Sequence, residues 1–277
     1  MARGFTLIEL IIVIILLGIM GTFVFNYVGF SAQIYSDATA REQLISQSRF
    51  AMERLTAELR NALPRSVRVS ADNDKMCLEY MPIITSSQYL YIPRTPTDTS
   101  PLHGFAPVVP AGQSLVGKYL VVGAVNSNYI YGVSDQRRKE ITAVTINDAE
   151  IEIEFSGTAH FSGSSPAQRY YVTNHPVSWC YNQTTQELWR FTGYGLQANT
   201  PTLMTLQTLQ SGGGIQAEVM ATGMTNNLTL SIPEYPFLVD EATLVRTSLI
   251  QLDWRFTHPR TDESIQLLHE VHIANVP

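Results

Sequence analysis

Glu9 is the one charged side chain between Phe5 and Phe25, in a run built almost wholly from apolar and small residues. A carboxylate inside an apolar span costs on the order of 2.5 kcal/mol or more near a bilayer's centre, so it usually marks a function and needs a cationic partner. Cys77 and Cys180 are the only two cysteines. They can form a single disulfide, the alternative being two buried thiols. The other chemistry-bearing residues lack the arrangements that catalysis requires. No Gly-x-Ser-x-Gly elbow is present, and Ser164 and Ser165 sit in a Gly/Ser/Pro turn. His269 and His272 are three apart in an expected strand, so they face opposite sides and build no zinc site. Asp72-Asn73-Asp74 lacks the spacing and terminal Glu of a calcium loop and reads as a plain turn. No glycine loop for phosphate exists. Arg137-Arg138-Lys139 is too short a basic run for nucleic acid against a formal net charge of −6. The aromatic pairs Tyr129/Tyr131 and Trp179/Tyr181 read as core or interface before sugar site. No enzyme, no metal and no cofactor are expected.

The element that must carry Glu9 is a helix. Residues 5–25 would span about 31 Å, enough for a bilayer's hydrocarbon core. A cleaved secretory signal peptide fits poorly, because the apolar run starts almost at once and Asn26-Tyr27-Val28-Gly29-Phe30 is a poor cleavage site. An ordinary membrane anchor explains the run but not Glu9. Arg3 flanks the span on one side, and no Lys or Arg follows until Arg41. The positive-inside rule puts Arg3 in the cytoplasm and the bulk of the chain outside it. In a Gram-negative cell that side is the oxidising periplasm, where Cys77–Cys180 is read as a disulfide, worth roughly 4–5 kcal/mol on the chain-entropy model.

From Asn26 to Leu63 apolar residues recur near the helical period, with Arg41, Glu42, Gln47, Arg54, Glu58 and Arg60 on the opposite face. Arg54 and Glu58 form an i,i+4 pair. Pro64 is expected to end the helix. Beyond it the period switches to two. Strands are expected at 66–70, 77–81, 88–92, 118–125, 129–133, 140–146, 150–155, 168–173, 177–181, 188–191, 217–221, 228–232, 244–257 and 265–274. Residues 93–115, with five prolines and two glycines, read as a long surface loop. Hydrophobic residues make up 45% and charged residues 15% of the chain, and with 17 glycines and 14 prolines this is a globular, strand-leaning composition.

Gly4-Phe5-Thr6-Leu7-Ile8-Glu9, followed by the apolar run, resembles the processing site of type IV prepilins and type II secretion pseudopilins. The resemblance implies that prepilin peptidase cuts between Gly4 and Phe5 and that Phe5 is then N-methylated. Glu9, the fifth mature residue, would act in subunit assembly. The new terminal amine is cationic, and in the low-dielectric centre of a helix bundle a neighbour's Glu9 is its natural partner. The implied organisation is a leader over 1–4, a transmembrane half-helix over 5–25, its amphipathic continuation over 26–63, and a β-rich periplasmic or extracellular head over 64–277. The fold class is α+β, a long N-terminal helix packed on a mainly antiparallel head. Met52-Glu-Arg-Leu55, Glu58-Leu-Arg-Asn-Ala-Leu-Pro64, Arg169-Tyr-Tyr-Val-Thr173, Pro176-Val-Ser-Trp-Cys-Tyr181 and Leu188-Trp-Arg-Phe191 are similar to minor pilins of the mannose-sensitive haemagglutinin (MSHA) pilus. That similarity implies a minor subunit in pilus initiation or at the tip. A J-like secretion pseudopilin and a carbohydrate-binding tip adhesin are the alternatives. The implied partners are other pilin subunits through the helix, prepilin peptidase, and the inner membrane before assembly, with no nucleic acid.

Overall fold

The computed structural model describes residues 6–134, 136–157, 160–240, 248–257 and 263–273. In chain order these form α1 (Leu7–Arg60), β1 (Arg68–Asp72), β2 (Lys75–Tyr80), β3 (Ile83–Tyr91), β4 (Leu102–Phe105), β5 (Tyr119–Val122) and α2 (Ser127–Tyr131). Then come β6 (Arg138–Asn147), β7 (Glu150–Phe155), β8 (Arg169–Thr173), β9 (Val177–Asn182), β10 (Glu187–Thr192), α3 (Leu203–Ser211), β11 (Gln216–Thr222), β12 (Phe237–Asp240), β13 (Ser248–Thr257) and β14 (Ser264–Ile273). The α+β class with a long N-terminal helix and antiparallel strands is borne out.

The head is more divided than one sheet. A five-stranded sheet runs β1-β2-β9-β10-β11, a three-stranded sheet runs β12-β13-β14, and a closed barrel runs β3-β4-β7-β6-β5-β8. The whole barrel is inserted between β2 and β9, which are neighbours in the five-stranded sheet. The two sheets share one apolar core with the last turns of α1. Ala51, Met52, Leu55 and Leu59 pack there with Leu78, Trp179 and Leu188 from one sheet and Ile250, Trp254 and Phe256 from the other. Trp179 stacks on Trp254 at 6.4 Å between ring centroids. α1 packs against β11 and β14, an edge strand of each sheet. The other face of β2 and β9 is roofed by Leu203 and Leu206 of α3, which explains why every residue of β9 is buried.

α1 has 54 residues, about 81 Å. It ends one turn before Pro64, at Asn61, whose amide bonds the carbonyls of Glu58 and Leu59. The chain then stitches itself to the crossover into the barrel: Leu63 N donates to Met81 O at 2.8 Å and Ile83 N to Asn61 O at 2.8 Å.

Three sequence expectations are corrected. Residues 129–133 do not form a strand, because the Asn126 side chain accepts from Tyr129 N and caps the one-turn helix α2, which buries Ile130 and Tyr131. Residues 228–232 do not pair either. Asn227 takes the Thr229 amide and hydroxyl on its side chain, a local alternative to a ladder. The 93–115 loop contains β4, whose Leu102 and Gly104 point inward. β12 was not foreseen. Residues 244–247, 258–262 and 274, part of the expected final hairpin, lie outside the described residues.

Candidate functional site

Glu9 stands in the first turn of α1, with Thr6 Oγ1 donating to its Oε2 at 3.5 Å. It is exposed, and so are the apolar side chains around it, from Leu7 at 78% to Phe25 at 81%. No charged residue follows Glu9 until Asp37. Gly18, Gly21 and Gly29 have nothing within 4 Å of the position a Cβ would take, and small residues of this kind let apolar helices approach closely. The helix is long and apolar enough to cross a membrane. Water would penalise this much bare hydrocarbon, so lipid or other apolar helices are its natural surroundings. Gly4 and Phe5 lie outside the described residues.

Beside the apolar packing of its last turns, a carboxylate ties this projecting segment to the head. Glu58, in the last turn of α1, accepts from Arg54 Nε at 2.8 Å, Trp179 Nε1 at 3.1 Å and Arg190 Nε at 3.2 Å, and also from the Tyr80 hydroxyl. Arg190 adds a second contact of 2.9 Å to the other carboxylate oxygen. Burial alone would raise the Glu58 pKa, but the hydrogen bonds from Tyr80, Arg54 and Arg190 outweigh it and hold the carboxyl below its usual range. Burial, reinforced by the Glu58 charge, pushes the Tyr80 phenol well up. Sequence reading placed Glu58 on the polar face with Arg54. It missed that Tyr80, Trp179 and Arg190 converge on it from three strands, and only the pairing register brings those together.

Another carboxylate, this one fully buried, braces the five-stranded sheet itself. Glu79 is fully buried and accepts from Arg68 Nε at 2.5 Å and from the Tyr194 hydroxyl at 3.0 Å. Its pKa is raised, because burial outweighs Arg68. The Arg68 guanidinium also lies 3.6 Å over the Tyr131 ring and donates to the carbonyls of Gln197 and Ala198.

Cys77 and Cys180 face one another in the β2–β9 register, 4.1 Å apart at Cα, and are joined as a disulfide. At the seam between sheet and barrel lie two hollows of about 440 and 330 Å³ that share Pro82, Val177 and Arg190. Two of their polar linings are already engaged, Arg190 by Glu58 and Asn174 by Lys118 at 2.8 Å. Among the described residues, no group of three His, Cys, Asp or Glu side chains could hold a metal ion.

No curated protein and no solved structure matches the chain. Residues 1–25 match the prokaryotic N-terminal methylation motif, so the chain opens on a prepilin-type signal of the kind that type IV pilins and pseudopilins carry.

Proposed function

We propose that the chain is a minor type IV pilin of an MSHA-type pilus, acting in the initiation of assembly or in the tip complex. Prepilin peptidase cuts between Gly4 and Phe5, and Phe5 is N-methylated. The subunit waits in the inner membrane with its head in the periplasm, and then joins other pilin subunits through α1. The observation that carries this reading is one exposed carboxylate, Glu9, on a bare apolar helix behind a methylation motif. A bulky head of two sheets and a barrel suits a terminal position better than a repeated one, since every subunit of a helical array must fit beside its copies.

Mass analysis of the mature protein from its native host tests the cut. The chain is expected to begin at N-methyl-Phe5; a retained Met1, or a cut beyond residue 25, overturns the reading. Glu9→Ala should leave processing intact and lower the amount of subunit in sheared filaments about tenfold, the weight of a pair worth about 1.4 kcal/mol. Unchanged incorporation would remove the pairing argument. Deletion should abolish surface piliation. Loss of exoprotein secretion with piliation intact would favour the J-like pseudopilin instead.

A further inference from the structure

The barrel presents an outer face on which strand pairing aligns aromatic rings beside carboxylates. Across β3, β4, β7 and β6 one row reads Tyr91, His103, Glu152 and Thr145, and the next reads Phe105, Glu150 and Asn147. Glu154 extends the column of outward carboxylates on β7. Tyr91 is 42% exposed and Phe105 45%, and the Tyr91 and His103 rings lie 6.4 Å apart. Neither row contains Lys or Arg; Arg94 follows only beyond the end of β3.

The pleat fixes these rings outward. β4 sends Leu102 and Gly104 inside and His103 and Phe105 outside. Gly104 holds that register because β3 passes close by. A Cβ at Gly104 would sit 2.6 Å from Gln88 O, so no larger side chain fits on the inner row.

We infer that this face docks a basic polypeptide segment of a partner protein. Its Lys or Arg side chains lie over the Tyr91 and Phe105 rings and between the carboxylates of Glu150 and Glu152. A ring face attracts a cation within about 6 Å of its centroid, and aligned carboxylates add a field of the same sense. A neutral sugar would use the rings but gain little from the carboxylate column, and an anionic partner would be repelled by it. The inference rests on these rows alone and holds whichever filament or secretion system the chain serves.

The test uses the full-length protein in non-ionic detergent micelles. Fluorescence anisotropy follows a fluorescein-labelled Lys/Arg-rich peptide, with a Glu/Gln-rich peptide of equal length as comparison. Saturable binding of the basic peptide alone is expected, weakening as salt rises. Tyr91→Ala and Phe105→Ala should each weaken it about fivefold with no change in charge. Glu150→Gln with Glu152→Gln should weaken it about tenfold. Thermal melts of these surface variants should stay within about 1 °C of the parent, which separates lost contact from lost fold. The inference is overturned by no saturable binding up to about 1 mM, by equal binding of both peptides, by aromatic variants that bind like the parent, or by a neutral oligosaccharide that the basic peptide cannot displace.

Discussion

Glu58→Ala is expected to lower the stability of the head by about 3–5 kcal/mol, the cost of stranding buried partners of a lost charge. Removing the carboxylate leaves the Tyr80 hydroxyl, the Trp179 indole N–H and the Arg190 guanidinium without their shared acceptor. Arg190 is the worst placed, with a side chain only 14% exposed and Glu218 as its other carboxylate at 3.6 Å. Differential scanning calorimetry of the full-length protein in micelles should show a fall in Tm of about 10 °C. Glu58→Gln keeps an acceptor oxygen and loses the charge, so it should fall between the two. An alanine variant melting within about 1 °C of the parent would show that the convergence carries no weight.

The same hub sets an acid limit. The folded-state pKa of Glu58 is depressed, so its contribution to stability is complete above the unfolded carboxyl value of about 4.3 and fades as pH falls through the lower folded value. The stability gap between the parent and Glu58→Gln should therefore be widest near neutrality and close below about pH 4. A gap that stayed constant to lower pH would mean that the charge of Glu58 does not matter.

How legible was this fold? An unbroken apolar run exposed the first half of α1, and periodicity exposed its second half and most strands, because a half-buried strand must alternate and a helix packed on one side must repeat near 3.6; Ile151-Glu-Ile-Glu-Phe155 shows this plainly. Local hydrogen bonding defeated the pattern at Tyr129–Val133, where one Asn side chain turns an aromatic run into a helix. Partition into two sheets and a barrel was not legible, since it depends on which distant strands pair, and β2 and β9 are neighbours only because 83–173 closes on itself. The signal at residues 1–25 was readable because its chemistry is contiguous. The Glu58 hub was hidden because its partners lie 22, 121 and 132 residues away.

Loss of the Cys77–Cys180 bond is expected to cost about 4–5 kcal/mol, from the entropy an open loop regains in the unfolded chain. The two cysteines are 103 residues apart, and the entire barrel lies between them. Without the bond, pairing of β2 with β9 must be won against the freedom of that loop. With it, the two strands stay together and the barrel is held at a closed neck. Cys77→Ala with Cys180→Ala is the cleaner variant, because serine would bury a hydroxyl under Leu203 and Leu206 of α3. Each single variant should lose nearly as much as the double, since either change breaks the bond. Both cysteines are fully buried, so a mild reductant should leave the folded parent untouched, and thiols should appear only as denaturant opens the sheet. A double variant within about 1 kcal/mol of the parent in denaturant titration would mean that the β2–β9 ladder and the α3 roof suffice to close the neck.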